Sequence, residues 1–91
     1  MFDLSGMTAL VTGASGGLGS AIARALAQQG ARLALSGSNA EKLTAFRAEL
    51  GGDHVAVPAN LSDAVAVDAL VPAATEALGG KLDILVNNAG V

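Results

Sequence analysis

Along the chain, short apolar bursts alternate with longer stretches of helical periodicity, and glycine marks most of the boundaries. Thr8-Ala9-Leu10-Val11 is a short, near-continuous apolar run, the pattern of a parallel strand buried on both faces, and predicts a strand over 7–12. Ile22, Ala25, Leu26 and Gln29 recur at helical spacing, predicting a helix over 17–29 with Gly30 as a left-handed stop. Residues 31–35 read as a second strand. Ser38-Asn39-Ala40-Glu41 matches a capping box, with Ser38 taking one orphan amide and Glu41 reaching back to another. The helix it opens runs to Leu50, with Leu43, Phe46 and Leu50 on its buried stripe and Gly51-Gly52 ending it. Residues 54–59 form a third strand, and Pro58, which cannot donate to a ladder, assigns it to an edge or a strand end. Ser62 is placed to cap a third helix, with Asp63 favourable in its first turn and Val65, Ala69 and Leu70 on its inner face. Pro72 predicts a kink or break near Leu70 and Val71 before the helix resumes to Leu78 and stops at Gly79-Gly80. Residues 82–86 are the fourth strand, and Asn87-Asn88-Ala89-Gly90 follows at once.

Strands alternating with helices imply right-handed crossovers and a parallel sheet, an α/β architecture. No linker and no internal sequence repeat interrupts it, so residues 1–91 read as one domain. Hydrophobic residues make up 52% of the chain and aromatics only 2%, so the core must be built of Ala, Leu and Val. The net charge of −3 provides no field that would gather nucleic acid or an anionic membrane, so any phosphate site must be local. No apolar run approaches the roughly 18 residues of a membrane helix, and the N-terminus lacks the pattern of a signal peptide. Together with the absence of cysteine, this fits a cytoplasmic protein without disulfides or thiolate metal sites.

The chemistry concentrates in Thr12-Gly13-Ala14-Ser15-Gly16-Gly17-Leu18-Gly19, between the first strand and the first helix. A glycine-rich turn there collects backbone N–H groups and the positive end of a helix dipole at one spot. That spot attracts phosphate without a basic side chain. Gly13 allows the sharp turn, Gly17 has no Cβ to hold a pyrophosphate away, and Gly19 lets helix and sheet approach closely. This is the pattern of a dinucleotide-binding turn. Ser15 serves either as a turn residue or as a ligand.

The glycine turn and Asn87-Asn88-Ala89-Gly90, each directly after a strand, together resemble the short-chain dehydrogenase/reductase family over the whole chain. Within it, Phe2-Asp3-Leu4, Leu33-Ala34-Leu35-Ser36-Gly37-Ser38, Asn60-Leu61-Ser62 and the closing 82–90 are most similar to bacterial 3-oxoacyl-acyl-carrier-protein reductases. The resemblance implies a Rossmann-like parallel sheet in the order 3-2-1-4, helices on both faces, truncated after strand four. The coenzyme would lie in the crevice where strand order reverses. It implies that Gly13, Ser15, Gly16, Gly17, Leu18 and Gly19 line the phosphates and that Ser38 lies near the adenosine ribose. It further implies that Asn60 and Leu61 flank the adenine, while Asn88, Ala89 and Gly90 approach the ribose on the nicotinamide side.

NAD-preferring members place an acid at the end of the second strand to accept from the ribose 2′-hydroxyl. Here Ser36-Gly37-Ser38-Asn39 offers no carboxylate to repel a 2′-phosphate, which favours NADP over NAD. The family's usual basic residues are replaced by Gly16 and Asn39, leaving the hydroxyls of Ser15 and Ser38, and Lys42 further off, as phosphate partners. The family's proton donor is a tyrosine supported by a lysine, and its tyrosine, lysine, serine and asparagine lie beyond the Asn-Asn-Ala-Gly motif. This sequence contains no tyrosine, so no catalytic residue is assigned and the 91-residue chain is expected not to reduce ketones. It reads as the NADP(H)-binding portion of a reductase whose intact form would act on an acyl-carrier-protein-linked substrate. The rival is a non-catalytic nucleotide-binding or assembly module that self-associates through an exposed sheet edge. An intact member catalysing epimerisation or dehydration is a third possibility.

Other polar residues have plainer readings. His54 has no partner at metal-ligand spacing and reads as a surface residue; Asn87 and Asn88 either cap the end of strand four or divide the work, Asn87 tying neighbouring strands and Asn88 lying nearer the coenzyme. Asp53, Asp63, Asp68 and Asp83 read as loop and helix-end charges, although Asp83 lies in an otherwise apolar strand.

Overall fold

The computed structural model describes residues 3–14, 16–59 and 64–86, without the side chains of residues 64–67. Seven elements follow in order: β1 (Thr8–Thr12), α1 (Gly17–Gln28), β2 (Arg32–Ser36), α2 (Ala40–Leu50), β3 (Val55–Ala56), α3 (Ala64–Ala77) and β4 (Ile84–Val86). The strands form one parallel sheet in the order β3-β2-β1-β4, as the family resemblance implies. The register runs from Thr8 opposite Arg32 to Thr12 opposite Ser36 between β1 and β2, and pairs Val11 with Val86 across to β4.

Strand alternation divides the core into two layers. Ala9, Val11, Leu33 and Leu35 pack with Ala23 of α1 and with Leu43 and Phe46 of α2, and half-buried Leu50 joins them. Leu10 and Ala34 face the other way, against Leu70, Ala74 and Leu78. Helices thus cover both faces of the central strands. The edge strands are less protected, and Leu85 in β4 remains 54% exposed.

Several sequence expectations are corrected by this packing. Of the kink or break expected at Pro72, the break is absent, since α3 is continuous from Ala64 to Ala77. Leu70, Ala74 and Leu78 recur every fourth residue and press one stripe against the sheet, while Pro72 is exposed. The missing N–H therefore falls on the side where water serves the freed carbonyl. Ala69, expected inside, is one position off that stripe and exposed. The cap of α2 is Asn39 rather than Ser38: the Lys42 backbone N–H donates to Asn39 Oδ1 at 3.1 Å. The expected cap at Ser62 and Asp63 and the packing of Val65 lie outside the description.

The glycine stops behave as expected. Gly30, Gly51, Gly52, Gly79 and Gly80 all have positive φ, and the Gly80 N–H donates to Thr75 O at 2.8 Å to close α3.

Both edge strands are shorter than expected, β3 keeping Val55–Ala56 of 54–59 and β4 Ile84–Val86 of 82–86. At the amino end of the sheet a side chain replaces a backbone acceptor. The Thr8 N–H donates to the Asp83 carboxylate at 2.9 Å, and the Leu33 N–H donates to His54 Nδ1 at 3.0 Å. At the other end of β3 the pairing continues past the strand, with Val57 N–H to Leu35 O at 2.9 Å and Ala59 N–H to Gly37 O at 3.0 Å. Pro58 falls between these donors, where its missing N–H would point away from β2.

Candidate functional site

The carboxyl ends of all four strands gather at one edge. The Ala14 N–H donates to Ser36 O at 3.0 Å and pins the turn after β1 to the end of β2. The Ala59 N–H brings the end of the β3 segment beside Gly37, and Thr12 Oγ1 donates to Val86 O at 3.2 Å where β4 ends. Gly13 turns the chain off β1 with φ of 64°, a conformation that side chains disfavour. The Gly16 N–H closes the turn on Gly13 O at 3.1 Å.

Gly16 is the N-cap of α1 with φ −83° and ψ 171°, and it makes no side-chain cap. The first turn of α1 carries no acidic residue. Helix geometry leaves the first-turn amides of Gly17, Leu18 and Gly19 without intrahelical acceptors. Ser20, the first residue able to bond back, donates its N–H to Gly16 O at 2.8 Å and its hydroxyl to Gly17 O at 3.0 Å. Gly16, Gly17 and Leu18 are exposed, Leu18 by 66%, whereas Gly19 is buried. A Cβ built on Gly17 would meet nothing within 4 Å.

Of the sequence-predicted ligands, Gly13, Gly16, Gly17, Leu18 and Gly19 share this mouth, and exposed Ser38 stands two residues beyond the Ser36 carbonyl that anchors it. Ser15, Asn60, Leu61, Asn88, Ala89 and Gly90 lie outside the described residues, as does Asn87. Sequence reasoning missed Ser36. It is 0% exposed, and its Oγ is the one buried side-chain polar atom without a partner among the described residues. No carboxylate stands at the end of β2, since Ser36, Gly37 and Ser38 fill it. The Asn39 side-chain oxygen is committed to capping α2, which leaves its amide N–H groups as donors. Donors at this edge suit an anionic ligand that spans from the α1 mouth towards β2.

A profile of the short chain dehydrogenase family matches residues 7–91. The chain belongs to the short-chain dehydrogenase family. It is 55% identical over 91 residues to nodulation protein G of Rhizobium sp. (strain N33), covering 100% of this chain and 37% of that protein. Among solved structures, Pseudomonas aeruginosa RhlG in an NADP active-site complex aligns with a TM-score of 0.88 and 42% identity. That alignment covers 99% of this chain and 37% of the other. The 3-ketoacyl-(acyl-carrier-protein) reductase of Brucella melitensis, complexed with NADH, aligns with a TM-score of 0.87 and 39% identity. Here 98% of this chain and 36% of the other are covered. The chain therefore spans little more than a third of the length of the relatives it matches.

The opposite, amino end of the sheet is built from side chains. Thr8 Oγ1 donates to Lys81 O at 2.7 Å, and Lys81 Nζ lies 3.2 Å from the Asp83 carboxylate and donates to Gly6 O at 2.8 Å. The Thr8 backbone N–H, with Lys81 assisting, holds the Asp83 carboxyl below its ordinary pKa. Asp83 is thus a latch between β1 and β4. His54 is the larger correction: it is 9% exposed, not a surface residue, and its ring is part of the sheet. Burial lowers its pKa, and Arg32 and Arg47 lower it further against the opposing pull of Asp53. Among the described residues no cluster of acidic or imidazole side chains suits a metal ion.

Proposed function

We propose that this chain is the coenzyme-holding portion of a short-chain oxidoreductase and binds a nicotinamide dinucleotide, NADP(H) in preference to NAD(H), across the carboxyl edge of its sheet. The observation that carries this reading is the uncapped mouth of α1, where exposed Gly16 and Gly17 lead into a first turn with unclaimed amides. Gly13, Ser15, Gly16, Gly17, Leu18 and Gly19 hold the diphosphate in this reading, and Ser38 meets the adenosine ribose. Asn60 and Leu61 flank the adenine, and Asn88, Ala89 and Gly90 take the nicotinamide side. The absence of a carboxylate at Ser36-Gly37-Ser38 supports NADP, as does the NADP bound by the Pseudomonas relative; the NADH on the Brucella reductase marks the competing preference.

When bound, the coenzyme supplies a hydride; the residues of this chain bind and orient it. A sequence without tyrosine has no general acid of the family's kind, so the 91 residues alone are inactive in ketone reduction. In the intact enzyme the substrate class we favour is a 3-oxoacyl group on acyl carrier protein, supported by the likeness to the Brucella reductase. Its setting is the cytoplasm. Titration with NADPH and NADH, followed by nicotinamide fluorescence, tests the proposal. Saturable binding with NADPH the tighter is expected. Tighter NADH binding would reverse the preference, and no binding of either would overturn the function.

A second reading, assembly through the sheet edge, is favoured by one observation. Leu85, on β4, an edge strand among the described residues, is 54% exposed. Light scattering decides it, since a monomer across the micromolar range would rule it out.

A further inference from the structure

β3 has two residues, and backbone bonds from Val57 and Ala59 to β2 and Gly37 extend its pairing on the carboxyl side only. Its start is clamped by side chains. Arg32 Nε donates to Asp53 O at 3.0 Å, Arg47 Nε donates to His54 O at 2.7 Å, and the Leu33 N–H donates to His54 Nδ1 at 3.0 Å. The third clamp requires an unprotonated Nδ1, because a backbone N–H cannot donate to a nitrogen that already carries a proton. The other two clamps bring guanidinium groups to the carbonyls immediately before and at His54, so an imidazolium there would also face like charge.

We propose that His54 is a proton-sensitive positioning residue. Neutral, it fixes β3 against β2, and protonated, it releases the strand and the segment that follows. Beside the ring lies a cavity of about 400 Å³ with Arg24, Gln28 and Glu49 on its polar side, Ala27 and Leu50 on its apolar side, and His54 itself in its wall. It gives a charged ring somewhere to turn, with the Glu49 carboxylate, paired to Arg24 at 2.6 Å, on its wall. The charged groups around the ring are Arg24 on α1, Arg32 on β2, Arg47 and Glu49 on α2, and Asp53 in the preceding turn. Burial of the ring is the main obstacle to protonation; Asp53 favours it, and Arg32 and Arg47 oppose it.

The direction in pH follows. His54 has a folded-state pKa below its ordinary 6.5, so its clamp is complete above about pH 6.5 and is lost as pH falls through the lowered value. The consequence for the coenzyme rests on the function proposed above. Asn60 and Leu61, assigned there to the adenine, directly follow the Ala59 N–H bond to Gly37 O that the released strand would loosen.

Amide hydrogen exchange on the 91-residue chain from pH 8 to pH 5, corrected for intrinsic rates, tests the clamp. Val57 and Ala59 should lose at least tenfold protection as the His54 ring titrates, while Leu10 in β1 stays protected. His54→Asn, whose amide oxygen accepts in place of Nδ1 and does not titrate, should keep its protection throughout. Flat protection in the wild type, or an equal loss in His54→Asn, would overturn the proposal. In parallel, NADPH affinity should fall at least threefold more in the wild type than in His54→Asn over the same range, the coenzyme's own phosphate titrating equally with both. Equal falls would overturn the link to the coenzyme. Failure of NADPH to bind at pH 8 would instead count against the function itself, leaving hydrogen exchange to decide the clamp.

Discussion

The two ends of the sheet are made of the same backbone and treated in opposite ways. At the amino end, side chains answer the backbone: Asp83 takes the Thr8 N–H, His54 takes the Leu33 N–H, and Arg32, Arg47 and Lys81 take carbonyls. At the carboxyl end, the first turn of α1 has no side-chain cap, and among the described residues nothing packs over Gly17. An end closed by its own polar groups contributes stability, whereas an end left open stays ready for a ligand's charge. Substitutions at the first should therefore alter melting, and substitutions at the second should alter coenzyme affinity.

Gly30→Ala should give the largest effect. Its φ is +100°, and a Cβ there would lie 2.7 Å from Ser5 Oγ and 3.1 Å from Ser5 N. A loss of about 2–3 kcal/mol in denaturant unfolding is expected; an unchanged midpoint would remove the N-terminal segment from the account of stability. Gly17→Val probes the other end. Its side chain would meet nothing in the described protein, so melting should hold while NADPH affinity falls ten- to a hundredfold, or about 1.4–2.7 kcal/mol. If melting fell and binding did not, the comparison would be inverted.

Asp83→Asn should lower the melting temperature at neutral pH. Because the Asp83 pKa is depressed in the fold, its contribution is present above its ordinary 3.8 and lost as pH falls through the lowered value. Melting of wild type and variant should converge in that acid range. The smallest change is expected from Ser36→Ala. Removing a buried hydroxyl without a partner should leave stability unchanged or raise it by about 1 kcal/mol, and a loss would show that the hydroxyl is satisfied.

The sequence carried the central architecture because short apolar runs bounded by glycine can be buried in few ways. β1, α1 and the stops at Gly30, Gly51 and Gly79 follow from such local signals. What it concealed depends on neighbours distant in the chain. His54 looked like a surface residue because nothing near it in sequence reveals that the Leu33 N–H, 21 positions away, needs an acceptor. Asp83 stood out as polar in an apolar strand, but its partner Thr8 is 75 positions away. The Pro72 break failed because propensity was read without the stripe that holds α3 in place. At Ser38-Asn39, two good capping residues stand side by side, and only the path of the chain selects the second. In the candidate site, the turn off β1 was legible because Gly13 takes a positive φ, whereas the buried Ser36 hydroxyl left no local trace.

Backbone amide shifts during an NADPH titration give the most direct test. The largest changes should fall on Gly16, Gly17, Leu18 and Gly19, with smaller ones at Ser38 and none around His54 and Asp83 at constant pH. Changes concentrated at the amino end, or no saturable change at the α1 mouth, would contradict the account.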